Sequence, residues 1–382
     1  MSAVRFRPAA PLEDREHFSF TAYAVIFCFP PLALSLVLFP VRIFLNYNER
    51  KGEWRVRLVV TGRINPRIID EIRHERPELD IRYWNRSGVI SRKEFLNWVA
   101  DANAMITMLT EFVDREVLEK APHLRIVSNM AVGYDNFDLA ELKAKRVLAT
   151  NTPDVLSEAT AELTVALILM VMRRLCFAED ALRHYQWKGW EPDGFLGFEC
   201  VGKTLGLVGF GRIAQAVMHR AQALGMNIVI FARRRMTTLP EGVRQLSWEE
   251  LLRASDVISL HVPLNTESFH MIDEEALSYM RPTAVLVNTS RGAVVDEQAL
   301  IEALKSGKLA GAGLDVFEKE PLPASSELRR LPQVTLLPHV GSATVETRMA
   351  MARRAWRNIS SYLEGRRPPD LLIPELWPEY SR

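Results

Sequence analysis

Residues 204–235 read TLGLVGFGRIAQAVMHRAQALGMNIVIFARRR, and the order of signals in that stretch decides the fold. Thr204 to Phe210 is an apolar run of strand length. Gly209-Phe210-Gly211-Arg212-Ile213-Ala214 then fits the glycine-rich turn of a dinucleotide-binding unit, with Ala214 in the third small position. Ile213, Val217, Ala221 and Leu224 recur at helical spacing, and Gly225 closes that helix. NIVIF is the next strand, and it runs straight into Arg233, Arg234 and Arg235. Strand, tight turn, helix and strand make a βαβ unit, in which backbone N–H groups and the positive end of the helix receive a pyrophosphate. About 20 residues past the glycines such a unit usually carries an acid for the ribose 2′-hydroxyl of NAD. Here that place is basic. A carboxylate would repel a 2′-phosphate, whereas a guanidinium binds it bidentately. By itself an arginine triplet is equally a solvated basic loop; on this unit it favours NADP(H), with NAD(H) still possible.

Outward from this stretch the chain alternates. From residue 55 to 151 the strand patterns RVRLVV, LDIRYW, AMITML, RIVSNM and VLATN are separated by the helical patterns NPRIIDEIRHE, SRKEFLNWVADA, DREVLEKA and NFDLAELKAKR. Such alternation implies a parallel, doubly wound sheet. No phosphate-binding glycine turn occurs there. After it, NTPDVLSEATAELTVALILMVMRRL reads as one helix whose ten uncharged residues, Leu163 to Met172, are too few to span a bilayer. The second sheet continues through DVISLHVP, TAVLVNTS, LAGAGLDVF and VTLLPH, and the closing helix VETRMAMARRAWRNISSYLEG is expected to return to the first unit. The expectation is an α/β protein of two doubly wound parallel-sheet domains, a flavodoxin-like substrate domain and a Rossmann cofactor domain, with a cleft between them. Residues 55–152 and 338–382 would form the first, residues 153–337 the second, and residues 1–54 an apolar extension.

Bulk numbers exclude several classes. In 382 residues, 48% are apolar and 25% charged, with a net charge of +1, as in an ordinary globular protein of two domains. No basic excess suggests nucleic acid. Cys28, Cys176 and Cys200 are an odd, scattered set, which argues against a disulfide framework and for a reducing cytoplasm. No paired Cys/His spacing offers a metal site, so none is expected.

Ligands of open α/β sheets bind beyond the carboxyl ends of the strands. AVLVNTS stops at Arg291, AGAGLDVF is followed by Glu318 and Glu320, and VTLLP stops at His339, before Gly341. Singly each has a bland reading: a turn arginine, loop acids, a histidine that happens to cap a strand. Jointly they supply a cation for a carboxylate, a proton donor and an acid to hold that donor charged, the set that reduction of a 2-oxo acid needs. His261, by contrast, reads as a packed residue inside an apolar strand.

At these residues the sequence resembles the D-isomer-specific 2-hydroxyacid dehydrogenases. NTSRGAVVDEQALIEALKSGKLAGAGLDVFEKEPLP is similar to a signature of that family, and VSNMAVGYDNFDL, NTPDVLSEATAEL and LPHVGSAT look most like its glyoxylate and hydroxypyruvate reductase branch. The resemblance implies that Arg291 binds the substrate carboxylate and polarises the 2-oxo group, that His339 is the acid/base and that Glu320, not Glu318, is its partner. It places Asp315, Thr289 and Gly341 at the cofactor beside the glycine turn, Asp315 on the nicotinamide carboxamide, and has Val132 and Gly133 offer backbone N–H groups to the substrate. It also implies a homodimer built on the Leu163 to Met172 helix, in which Trp190 of HYQWKGWEPDGF reaches the partner's pocket and limits substrate size; Trp187 is expected to be ordinary packing. Other family chemistries, on phosphoglycerate or D-lactate, and the dinucleotide-sensing role of the C-terminal binding proteins stay open.

FSFTAYAVIFCFPPLALSLVLFPV, residues 18–41, is long enough for a membrane anchor, although Pro30-Pro31 would break a helix at its centre. A signal peptide fits poorly, because Glu13, Asp14 and Glu16 offset the arginines. The preferred expectation is that translation starts at Val56, from a GTG codon behind a ribosome-binding sequence encoded by Lys51-Gly52-Glu53.

Overall fold

The computed structural model describes residues 35–38, 41–44, 46–48 and 53–380, with side chains from residue 56 onward. Before the first unit lie two short antiparallel pairs, β1 (Ser35–Leu38) with β2 (Val41–Phe44), and β3 (Asn46–Asn48) with β4 (Glu53–Arg55). Most of the apolar run at residues 18–41, and Lys51-Gly52, lie outside the described residues. Among the described residues no helix is long and apolar enough to cross a membrane.

Five parallel strands form the first sheet: β5 (Arg57–Val60), β6 (Asp80–Tyr83), β7 (Ala104–Thr107), β8 (Ile126–Asn129) and β9 (Leu148–Thr150). Their order is β6-β5-β7-β8-β9, the flavodoxin-like winding, whose direction reverses between β5 and β7. Leu58, Val59 and Val60 are all fully buried because helices cover both faces, so β5 reads as a continuous apolar run. The covering helices α1 (Pro66–Glu75), α2 (Arg92–Val99), α3 (Arg115–Lys120) and α4 (Leu139–Ala144) each begin at a polar cap. Asn65, Ser91, Asp114 and Asp138 accept a first-turn N–H through their side chains.

The long helix α5 (Ser157–Met172) and the shorter α6 (Leu175–Arg183) lead into the second sheet. What the sequence suggested was one helix through Leu175; instead α5 stops at Met172, and Arg174 takes a left-handed φ of 52° between the two. Seven parallel strands follow: β10 (Thr204–Val208), β11 (Asn227–Phe231), β12 (Val243–Gln245), β13 (Val257–Leu260), β14 (Val285–Asn288), β15 (Gly311–Leu314) and β16 (Val334–Leu336). They lie in the order β12-β11-β10-β13-β14-β15-β16 and reverse at β10/β13, as in a Rossmann sheet. Helices α7 (Arg212–Ala223), α8 (Trp248–Ala254), α9 (Glu274–Tyr279) and α10 (Glu297–Lys305) connect these strands. The final long helix, α11 (Val345–Leu363), buries Met351, Ala355, Trp356 and Ile359 in the core of the first sheet, not the second.

Candidate active site

On the cofactor side, β10 and α7 meet at the glycine turn. Gly209 has φ of 86°, and a Cβ there would stand 2.7 Å from the His261 carbonyl oxygen, so only glycine fits. Gly211 differs: its backbone is extended, and a Cβ would meet nothing within 4 Å. Gly211 also caps α7 and brings no side-chain bond to the helix's first N–H groups. Those donors and the open space before them fit the pyrophosphate of a dinucleotide. Arg212 leaves the turn to pair with Asp154 at 2.6 Å, and Ile213 packs against the cores of both sheets. The Phe210 carbonyl accepts from Gln215 Nε2 at 3.2 Å.

Arg233, Arg234 and Arg235 follow β11 in an exposed turn, and Arg233 pairs with Glu267. Gln245 shapes that turn: its Nε2 donates to the Ala232 and Arg234 carbonyls, both at 3.0 Å, and its Oε1 accepts Met236 N–H at 2.9 Å. Gln245 belongs to β12, which sequence reading missed because VRQ is three residues long and half polar. His261 lies one residue beyond β13, not inside a strand, and is partly exposed. Burial nonetheless pushes its imidazole down to about 4, and Ser259 Oγ lies 2.9 Å from its Nε2.

On the same sheet, past the ends of β15 and β16, His339 Nδ1 is 2.8 Å from Glu320 Oε2. Burial alone would raise the Glu320 carboxyl; the hydrogen bond and charge of His339, the Phe317 N–H and Arg291 outweigh it and hold it below the usual value. The ionised carboxylate can only accept, so Nδ1 carries the proton and donates it. Nε2 then has no hydrogen-bond partner among the described residues. His339 takes a left-handed φ of 55°, rare for a side-chain-bearing residue and found where surrounding bonds over-determine the backbone. Asp315 supplies them. Its carbonyl accepts His339 N–H at 2.8 Å, and its carboxylate accepts Val340 N–H at 2.7 Å and Gly341 N–H at 2.8 Å. Burial raises the Asp315 carboxyl, against the pull of those N–H groups and of His339. Thr160 Oγ1 donates to the Gly341 carbonyl at 3.3 Å, and the Thr289 and Thr164 hydroxyls lie 2.9 Å apart, so α5 braces both turns.

Arg291 crosses towards the first unit. Its Nε donates to Asp135 Oδ1 at 2.8 Å and its Nη1 to the Ser290 carbonyl at 2.8 Å. Nη2 lies so close over Gly133 that a Cβ there would collide with it. The Val132 carbonyl is held by Asn151 Nδ2 at 2.8 Å. Glu318 points elsewhere: its Oε1 takes His270 Nε2 and the Glu297 N–H, each at 2.9 Å. With Asp296, His270 and Glu318 bring metal-ligand atoms within 4.8 Å of one another, a grouping that no spacing in the sequence announced. Burial lowers the guanidinium of Arg348, in the first turn of α11, against the charge of Asp315, which works to raise it. Trp187 and Trp190 are 53% and 84% exposed, so the ordinary packing expected for Trp187 is absent within this chain.

A Rossmann sheet with an open glycine turn, facing a flavodoxin-like sheet across a cleft holding arginine, histidine and glutamate, defines a nicotinamide-dinucleotide dehydrogenase. The profile described as "D-isomer specific 2-hydroxyacid dehydrogenase, NAD binding domain" matches residues 165–341. A glyoxylate reductase of Thermococcus litoralis is 48% identical over 299 residues, covering 77% of this chain and 90% of that one. An NADPH-dependent glyoxylate/hydroxypyruvate reductase of Sinorhizobium meliloti, solved with NADP and malonate, superposes with TM-score 0.72 at 32% identity, covering 84% of this chain and 97% of the other. A D-lactate dehydrogenase of Aquifex aeolicus, solved with NAD and lactic acid, gives 0.73 at 29% identity, covering 83% and 99%. The chain belongs to the D-isomer specific 2-hydroxyacid dehydrogenase family. It is an NAD(P)-binding oxidoreductase that interconverts a 2-oxo acid and a D-2-hydroxy acid.

Proposed function

We propose that this enzyme reduces glyoxylate, or hydroxypyruvate, in the cytoplasm with NADPH preferred over NADH. The observation that carries the chemistry is the His339–Glu320 pair, 2.8 Å apart, facing the cleft that Arg291 spans. When bound, the reduced nicotinamide supplies a hydride to C2 of the oxo acid. Arg291 and the backbone N–H groups of Val132 and Gly133 hold the substrate carboxylate, and the guanidinium stabilises charge growing on the 2-oxo oxygen. His339 gives that oxygen a proton from Nε2, while Glu320 keeps Nδ1–H and the ring's orientation fixed. Asp315 supports the His339 turn and offers a remaining lone pair to the carboxamide beside Thr289 and Gly341. Closing residues 55–152 and 338–382 onto residues 153–337 excludes water from the transfer.

The small substrate follows from the similarity to glyoxylate reductases and from Trp190 as a partner's lid. The second half of α5, Leu163 to Met172, carries no charge on any side, yet Leu163, Leu169 and Met170 are only half-buried and Ala166 is exposed, which suits a second copy of this chain. The cofactor preference rests on Arg233, Arg234 and Arg235, which stand where an NAD enzyme carries an acid. One charge-assisted bond to a 2′-phosphate is worth about 1.5–3 kcal/mol, or roughly ten- to a hundredfold in kcat/KM. Measuring kcat/KM for both cofactors across a panel of 2-oxo acids tests both parts. The native enzyme should favour NADPH and glyoxylate, and Arg233→Ser with Arg234→Ser should erase the first preference alone. Equal use of NADH by the native enzyme would refute it.

A further inference from the structure

Asp135 has no place in the reading above, yet it makes a contact across the cleft. It follows β8 in the first unit, and its partner Arg291 follows β14 in the second. We propose that Asp135 is a positioning residue: it takes Arg291 Nε–H and so sets the guanidinium for the substrate carboxylate. This rests on the reading of Arg291 as the cation for that carboxylate.

An arginine is long and flexible, and a single carboxylate on a loose loop would orient it poorly. Neither condition applies here. The guanidinium is held from two directions, by Asp135 Oδ1 at Nε and by the Ser290 carbonyl at Nη1. What those bonds leave is Nη2, which lies against Gly133, whose own N–H is a proposed donor to the same anion. Cation and backbone donor are therefore brought side by side by one ion pair.

The loop that carries Asp135 is itself fixed. Its neighbour Asn136 is buried, accepts from Asn129 Nδ2 at 2.9 Å and donates to the Glu111 carbonyl at 2.9 Å. Asn129 Nδ2 also donates to the Gly133 carbonyl at 2.9 Å, and Phe137 N–H closes a turn on the Tyr134 carbonyl at 2.9 Å. The pair is partly shielded, with 22% of the Arg291 and 35% of the Asp135 side chain exposed, unlike the freely solvated pairs that contribute nothing measurable. Because the partners sit on separate sheets, the guanidinium is set only while the two units are close.

The test is steady-state kinetics with glyoxylate and NADPH on Asp135→Ala, Asp135→Asn and Arg291→Lys, and on Asp135→Ala combined with Arg291→Lys. Losing the charged acceptor should raise the KM for glyoxylate about tenfold in Asp135→Ala, with the NADPH dissociation constant unchanged. Asp135→Asn keeps an acceptor oxygen and should recover part of that loss; it also serves if the alanine variant does not fold. Acting only through Arg291, the alanine change should add nothing in the Arg291→Lys background. An equal effect of Asp135→Ala in both backgrounds overturns the proposal. So does an unchanged KM in Asp135→Ala when Arg291→Lys raises it. If Arg291→Lys itself leaves KM unaltered, the reading of Arg291 has failed, and the inference with it.

Discussion

Replacing Gly211 by alanine separates folding from cofactor binding more cleanly than any other change at the site. The backbone there is extended, and the added methyl meets no protein atom within 4 Å, so the folded state bears no strain. The unfolded chain loses freedom, which should stabilise the protein by about 0.4–1 kcal/mol. At roughly 2–4 °C per kcal/mol for domains of this size, Tm should rise by about 1–4 °C. If the turn receives the dinucleotide as proposed, the same methyl stands where a pyrophosphate oxygen would approach the N–H groups of α7. Displacing it from two such bonds, each worth about 1.5 kcal/mol or more, weakens binding about a hundredfold. NADPH at a hundred times its native dissociation constant stabilises the native protein by about 2.7 kcal/mol, and should stabilise the variant by only about 0.4 kcal/mol. A thermal melt with and without NADPH reads this as a cofactor-induced rise of about 5–10 °C shrinking to about 1–2 °C. An equal rise in both proteins would show that the turn is not the pyrophosphate site.

Glu320→Gln removes the counter-charge of the protonated ring, so the basic limb of the kcat profile should move to lower pH; an unmoved limb would exclude Glu320 as the partner. The lowered Glu320 carboxyl also contributes stability that is present above its unfolded value and lost as pH falls through its folded one. Urea midpoints of the glutamine variant should therefore decline less steeply in acid. His261 takes up its proton only near pH 4 when folded but near 6.5 when unfolded, so stability is lost as pH falls across that window, and His261→Gln should flatten the slope between pH 7 and 5. Trp190→Ala should remain dimeric by light scattering while accepting bulkier 2-oxo acids; a native enzyme active as a monomer would end that reading.

Most strands were legible because their sheets are buried on both faces, which turns strand after strand into an apolar run such as LVV at 58–60 or VLVN at 285–288. β12 was not, since an edge strand such as VRQ needs no apolar run. The break between α5 and α6 was hidden for another reason: Arg173-Arg174 contains no glycine or proline, yet the exposed Arg174 takes the left-handed turn. Arg291 and His339 could be singled out because each follows closely on a recognisable strand, whereas Glu320 was separated from Glu318 only by the family resemblance. Asp135 could not, for its meaning lies in a partner 156 residues away. The same holds for Gln245 beneath the arginines and for His270 beside Glu318, whose roles arise only once separate loops are brought together.

The return of α11 to the first sheet has a consequence for how the protein is made. β9 ends at Thr150, but α11, the helix that packs on β8 and β7, begins only at Val345. At about 5–20 residues per second, a ribosome takes roughly 10–40 s to cover that distance. Throughout that time the five-stranded unit is without its last wall, while every strand of the seven-stranded sheet, β10 to β16, is made before that helix. The two units are thus completed in the reverse of their order along the chain, the second sheet ending at Leu336 before the first receives its last helix.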